Sequence, residues 1–375
     1  MREFDTIIIG AGIAGASLGW CLAGRRSVLL LEREAQPGYH ATGRSAAMFM
    51  ESYGPPGVRA LTRASRAFYE QPPRGFVDAP LLTPRGVLYL ATQGQQALLH
   101  STREALAASG TPLDTLDAAA TLARVPCLRP EAVHGALFER DAQDIDVHAL
   151  HQGFLRGLRS QGGELRVNAE LAGAKHDGSR WQLRLADGET LLARHIVDAA
   201  GAWADEVAAR CGAAPIGLEP RRRSAFTFNG PAGVDVSGWP AVVGVDESWY
   251  FKPDAGRLLG SPANADPTVP HDVVPEELDI ALGIHQIEAV TTLTIRRPAS
   301  TWAGLRSFVR DGELVIGWDE KCPAFFWLAA QGGYGIQSAA GAAMLAASLL
   351  CTEPLPPALM AHGVDPLALS PHRLR

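Results

Sequence analysis

The chain has 375 residues, a formal net charge of −6, 47% apolar and 20% charged residues. That length holds about two domains around a large core, and the charge argues against nucleic acid or an anionic membrane surface as the main partner. The five cysteines, Cys21, Cys127, Cys211, Cys322 and Cys351, lie far apart without CxxC or Cys/His spacing, which favours reduced core thiols in a cytoplasmic protein.

The first elements lie in DTIIIGAGIAGASLGWCLAGRRSVLLLERE. Thr6–Ile9 reads as an apolar strand, residues 10–15 as a glycine turn, Ala14–Ala23 as a small-residue helix, and Val28–Leu31 as a second strand ending at Glu32. This is a βαβ unit with a parallel core pair. Thr6–Gly24 carries no charge, and neither does Pro323–Thr352. Both reach the ~20 residues of a bilayer crossing. Gly10, Gly12, Gly15 and Gly19 thread the first, its leader MREFD is net acidic where a signal peptide is basic, and QGGYG interrupts the second. Both are therefore expected to be buried strand-then-helix segments.

Pro55 and Pro56 break the chain ahead of an amphipathic helix at 58–71. A strand at 83–92 and a helix over Gln95–Ala108 follow, then a mixed region to about 140. Residues 146–163 open on an N-cap aspartate and close on glycines, as a helix does. A β-meander comes next, with turns at Asp177-Gly178 and Asp187-Gly188, and its last strand, His195–Ala199, leads to a glycine turn at Gly201. Between about 220 and 310 the segments RRRSAFTF, SWYFKP, GRLLGS, TLTIRRP and WAGLRSF read as strands. ELVIGW and FFWLAA add two more, and an Ala-rich helix follows. The Pro-containing tail beyond 353 reads as a surface extension.

Gly10-Ala-Gly12-Ile13-Ala14-Gly15 fits the dinucleotide fingerprint, between a strand and a helix, with Glu32 about 20 residues beyond Gly12 to accept from ribose hydroxyls. The blander alternative is a structural glycine turn. In EREAQPGYHATGRSAA no second βαβ pattern follows, which suits a chain wrapping one long cofactor. The tiny residues of ATGRSAAMFM let backbone approach something bulky and flat, and Met48 and Met50 come directly after them. The AAQGGYG turn supplies a second helix N-terminus, suited to negative charge on a reduced isoalloxazine.

These stretches, together with VRALTRASRAF, DIDVHALHQG, DAAGAW, RRSAF, YFKPDAGRLLGSPANADP, TTLTIRRP, TWAGLRSF and QGGYGIQ, resemble the D-amino-acid-oxidase-type flavoprotein family over almost the whole chain, bacterial D-amino acid dehydrogenases in particular. The resemblance implies a mixed α/β protein. A discontinuous Rossmann-like FAD domain would comprise 1–50, 141–219 and 300–365, and a substrate domain on a mixed sheet would comprise 51–140 and 220–299. It implies that Gly10, Gly12, Ile13, Ala14, Gly15 and Glu32 hold the AMP half of FAD, with Arg33 beside it. Arg44, Ser45, Ala46 and Ala47 would follow the ribityl chain and ring, Ala200, Gly201 and Trp203 would flank the cofactor, and Gly332, Gly333, Gly335, Ile336 and Gln337 would face the pyrimidine. Arg223 and Arg306 would grip a substrate carboxylate, with Tyr53, Tyr250, Gly333 and Gln337 around it. Guanidinium forks bind carboxylates bidentately, and hydride transfer needs positioning more than a strong base.

Blander readings stand beside these. Arg223 belongs to a charge run, PRRRS, in which alternation puts Arg221 and Arg223 on one face; Arg306 could be a buried ion-pair partner; tyrosines are commonly half-buried. His148 and His151 lack a third ligand motif and read as structural rather than metal-binding. In an arginine-specific relative an acid stands at the place of Val87, a histidine at Met48 and a threonine at Met50. With Ala241 and Val243, these positions form an apolar side-chain pocket here, so the expected reaction is oxidation of apolar or aromatic D-amino acids to imino acids, then 2-oxo acids and ammonia. An N-substituted or cyclic amino acid, a 2-hydroxy acid, or a non-catalytic FAD-binding role are the alternatives. The electron acceptor would be quinone or oxygen, with at most peripheral contact at the inner membrane.

Overall fold

The computed structural model describes residues 1–108 and 110–375, folded as a mixed α/β protein around two large sheets. In the first sheet the apolar strands Arg2–Ile9 and Val28–Leu31 pair in parallel, as a strand buried on both faces requires. Glu164–Arg166 extends the sheet beyond Val28–Leu31. Thr190–Asp198 runs parallel to Arg2–Ile9 on the other side. The outer edge of Thr190–Asp198 is shared: its first half takes the meander strand Trp181–Leu185, its last residues take Phe325–Ala329 in parallel.

Helices cover one face of this sheet. Ile13–Leu22 packs between Val147–Ser160 and Ala339–Cys351. Trp20, Phe68, Phe76 and Phe154 interlock where Pro56–Glu70 joins them, with Phe68 and Phe154 stacked at 5.5 Å. The N-terminus of Pro56–Glu70 is capped from a distance: Glu313 accepts from the Gly57 and Val58 amides at 2.7 and 3.0 Å.

The second sheet has the order Asp266–Pro267, Glu219–Phe228, Arg257–Ser261, Tyr250–Asp254, Ala241–Gly244, Val87–Thr92, Val133–Glu139 and Asp114–Asp117, with Ser300–Phe308 alongside Glu219–Phe228. Among the described residues of this sheet, only the contact of Ala241–Gly244 with Val87–Thr92 is parallel. Alternation splits its faces: Leu88 and Leu90 join Phe226 and Trp249 in one core, while Val87, Tyr89 and Ala91 join Met50 in another. A small sheet of Met48–Phe49, Gln143–Ile145 and Leu82–Pro84 links the two.

Several expectations are corrected. TLTIRRP is not a strand; Thr291 makes one bridge to Leu128, and Leu293 and Ile295 are buried as anchors of an irregular segment. The expected strand 83–92 breaks at Arg85-Gly86 and serves two sheets. The tail is no surface extension: Leu359 and Leu369 are fully buried in the helical core, and Arg373 and Arg375 pair with Asp311 and Asp319. Ser300–Phe308 pairs with Glu219–Phe228 in the second sheet, and the helix Pro56–Glu70 packs on Ala339–Cys351. The helix Glu277–Val290 was not foreseen. Its Leu278 and Leu282 face solvent, so no single apolar stripe marks it. None of the helices among the described residues is long and apolar enough to cross a membrane.

Candidate active site

One elongated cavity runs between the two sheets. Gly10, Gly12, Ile13, Ala14, Glu32 and Arg33 line one end; Arg44, Ser45, Ala46, Ala200, Gly201 and Trp203 line the middle; Arg223, Tyr250, Arg306, Gly332, Gly333, Gly335 and Ile336 line the other. Of the expected site residues, Gly15, Ala47, Met48, Met50, Tyr53, Val87, Ala241, Val243 and Gln337 lie off this wall.

At the first end, Gly10 has φ +102°, and a Cβ there would lie 2.5 Å from the Ala199 carbonyl oxygen. A Cβ on Gly15 would lie 1.9 Å from the carbonyl oxygen of Gly10, so only glycine allows the helix to start so close to the strand. The helix Ile13–Leu22 has no side-chain cap at its N-cap residue Gly12, and the Ile13 amide donates to Thr42 Oγ1 at 3.0 Å. Glu32, buried at the strand tip, accepts from the Ala11 and Glu34 amides at 2.9 and 3.0 Å. An open helix N-terminus, backbone bare of side chains and a fixed acid form the donor and acceptor set that a dinucleotide needs. Behind the turn, His151 Nε2 meets the Ala11 carbonyl at 2.9 Å.

The middle wall is pinned from the second sheet. Arg44 ion-pairs with Asp272 and donates to the carbonyls of Val273 and Ala303 at 2.9 and 3.1 Å, so its guanidinium fastens residues 38–46 to the opposite side. Arg33 lies over the Trp203 ring at 4.0 Å, and His40 packs on the same ring at 4.6 Å. Glu34 holds both His40 and Arg33, and those bonds, His40 first, keep its carboxyl below the usual range. Thr42 and His40 were not foreseen; their roles depend on the fold of an irregular loop, for which the sequence carries no period.

At the far end, alternation along Glu219–Phe228 separates Arg222 from Arg221 and Arg223. Arg222 turns to Asp279 and Glu276, Arg221 pairs with Glu219, and Arg223 turns inward. Arg223 Nε donates to the Asn264 carbonyl at 2.5 Å, and Arg306 donates to Tyr53 Oη at 3.1 Å. Among the described residues neither guanidinium has a carboxylate partner. Burial, then the charge of Arg306, pulls Arg223 down to about 10, so it remains a cation at neutral pH while lacking a counter-ion. A Cβ on Gly333 would stand 2.9 Å from Arg306 Nη1 and 3.2 Å from Tyr53 Oη, so glycine is what leaves these groups their places.

Beside this end, Met48, Met50, Val87, Ala241 and Val243 come together with Tyr53 in one apolar cluster. Val87 pairs with Ala241, and Val243 with Tyr250. Gln337 ties the cluster to the helices: its carboxamide meets the Met50 amide, the Tyr53 carbonyl and Thr62 Oγ1. One acid lies among these residues. Glu139, 2% exposed, stands directly opposite Val87 and was not foreseen, since VHGALFE shows only an apolar strand end.

The family profile DAO, FAD dependent oxidoreductase, matches residues 5–349. Among solved structures, the chain superposes on glycine oxidase from Geobacillus kaustophilus with a TM-score of 0.84 at 23% identity, covering 99% of this chain and 98% of that one. It matches iminodiacetate oxidase from Chelativorans sp. BNC1 with a TM-score of 0.82 at 22% identity, covering 98% of each. L-alpha-glycerophosphate oxidase from Mycoplasma pneumoniae, solved with FAD bound, gives 0.83 at 17% identity over 94% of this chain and 95% of the other. At these identities the likeness is one of fold.

Proposed function

The chain belongs to the DAO family of FAD-dependent oxidoreductases, and from that premise we propose that it oxidises D-amino acids with apolar or aromatic side chains. The products are imino acids, which hydrolyse to 2-oxo acids and ammonia. The observation that carries the reading is the pair of inward-facing guanidiniums, Arg223 and Arg306, on one cavity with no carboxylate of their own. A buried cation without a partner is costly, and an incoming α-carboxylate relieves both charges at once.

On this reading the glycine turn and the Ala14 amide hold the pyrophosphate of FAD, Glu32 holds the ribose, and the backbones of Ser45–Ala46 and Gly332–Ile336 flank the flavin. The chemistry FAD supplies when bound is acceptance of a hydride from the substrate α-carbon. Arg223 and Arg306 fix that carbon by a two-pronged grip that lysines would not reproduce. Tyr53, held by Arg306, and Tyr250 place hydroxyls beside the carboxylate. Met48, Met50, Val87, Ala241 and Val243 take an apolar side chain; the one acid beside them, Glu139, already accepts from the Glu51 amide and the Ser52 hydroxyl, so a basic side chain would find no free counter-ion there, at a desolvation cost of several kcal/mol. Quinone or oxygen takes the electrons afterwards.

The test is an anaerobic panel of D- and L-amino acids, glycine, L-proline, iminodiacetate and 2-hydroxy acids, scored by flavin bleaching. D-Leu, D-Met and D-Phe are expected to bleach fastest. A higher kcat/KM for D-Arg, D-Lys or any L-enantiomer would overturn the reading.

A further inference from the structure

The acid inside the apolar cluster has no cationic partner among the described residues, yet both its oxygens are occupied. Glu139 Oε1 accepts the Glu51 amide at 2.9 Å, and Oε2 accepts the Ser52 hydroxyl. Ser52 Oγ also lies 2.7 Å from Tyr89 Oη. An ionised carboxylate only accepts. Ser52 therefore donates to Glu139, and Tyr89 donates to Ser52. The result is a directed chain across strands Val87–Thr92 and Val133–Glu139, ending on two consecutive residues of the segment that carries Tyr53.

That segment has few other fastenings. The Met50 amide reaches Gln337 at 3.4 Å, the Tyr53 amide reaches the Met50 carbonyl at 3.4 Å, and Gln337 reaches the Tyr53 carbonyl at 3.3 Å, all longer than the bonds to Glu139. Glu51 adds an ion pair with Arg66 at 2.6 Å, which points away toward the helix Pro56–Glu70. One residue on, Tyr53 accepts from Arg306. A carboxylate beside Val87 and Met50 is expensive to desolvate, and burial pushes its carboxyl upward. A neutral side chain would fill the same space more cheaply, so what distinguishes the acid is its two-acceptor geometry.

We propose that Glu139 is a positioning residue for substrate capture, fixing Glu51 and Ser52 so that Tyr53 holds Arg306 in its carboxylate-binding pose. This rests on the proposed role of Arg306 in gripping a carboxylate. Glu139 does not line the cavity, and its effect passes through Tyr53.

The experiment is a double-mutant cycle on the FAD-loaded enzyme, titrating 4-methylpentanoate, the leucine skeleton without its amine, by flavin absorbance. Glu139→Gln, which keeps the shape and one acceptor, is expected to raise Kd about 3-fold, and Glu139→Ala about 10-fold. Saturating D-leucine should still reduce the flavin at a rate within about 2-fold of wild type. In a Tyr53→Phe background either substitution should change Kd by less than about 2-fold, because the path is already cut. Equal effects in both backgrounds, or a folded Glu139→Gln enzyme with wild-type Kd, would overturn the proposal. Arg306→Met runs in parallel. An unchanged Kd there sinks the carboxylate site itself, whereas weakened binding there with silent Glu139 variants sinks only the role of Glu139.

Discussion

Two residues show how burial sets chemistry at single positions. Val87 faces Glu139 across an antiparallel pair, and facing side chains lie about 5 Å apart at Cβ. Val87→Glu would therefore place two acids together in an apolar cluster. The substitution is expected to lower stability and to shift relative kcat/KM from D-Leu toward D-Arg and D-Lys, whose cations relieve that repulsion. A substrate panel on the variant checks it, and an unmoved ratio would remove position 87 from the pocket. Asp198 is a different case. Its Oδ1 accepts from the Ala200 amide at 3.1 Å, while the buried Oδ2 has no hydrogen-bond partner among the described residues. Burial pushes this carboxyl well above its ordinary value. The folded state keeps a proton that the unfolded chain releases near pH 4, so stability is greatest below that point and falls as pH rises toward the folded value. Asp198→Asn removes the titration. The stability of the variant relative to wild type should climb as pH rises above the unfolded carboxyl's ordinary range, seen in urea melts at pH ~4.5 and ~7; parallel curves would show that Asp198 ionises normally.

Among elements, Ala339–Cys351 crosses Pro56–Glu70 at close range over one glycine. A Cβ on Gly341 would stand 2.5 Å from the Leu61 carbonyl oxygen, a backbone atom that cannot swing aside. Gly341→Ala is expected to cost about 1–3 kcal/mol, measured as a lower urea midpoint, and a neutral effect would mean that the helices separate freely. Elements whose order is written locally were legible from sequence. The glycine turn, the helix opened by Asp146 and the meander turns at Asp177-Gly178 and Asp187-Gly188 each carry their own signal. What escaped depends on partners far along the chain. Glu277–Val290 packs Gly283 against Phe226 and Pro262, and TLTIRRP reads as a strand by composition, yet the bridge to Leu128 is made by Thr291 just before it. The candidate site divides the same way. Gly10, Gly12 and Glu32 follow from spacing, and Arg222 separates from Arg221 and Arg223 by strand alternation, but the acid opposite Val87 becomes visible only once strand register is known.

At the scale of the molecule, the C-terminal residues close the helical core that the first βαβ unit opens. Leu359 and Leu369 are both fully buried there, so Leu369→Ala is expected to cost about 2–5 kcal/mol. A thermal melt of the variant indistinguishable from wild type would return the tail to the role of a surface extension. The sequence misled at this point because prolines at 354, 356 and 357 suggest a chain leaving the fold, whereas here they lead into the short helix Pro357–Ala361, which turns back onto it. The cavity has a wider consequence. Its walls come from loops of both sheets, with Arg44 and Asp272 joined across it, so a molecule filling it binds the assembled fold and has no comparable site on the unfolded chain. Mass action then adds RT ln(1 + [L]/Kd) to the folded state, about 2.7 kcal/mol at a hundredfold excess over Kd. The quantity of this protein that survives in a cell would thus track the supply of flavin, and abundance itself would become a readout of cofactor status.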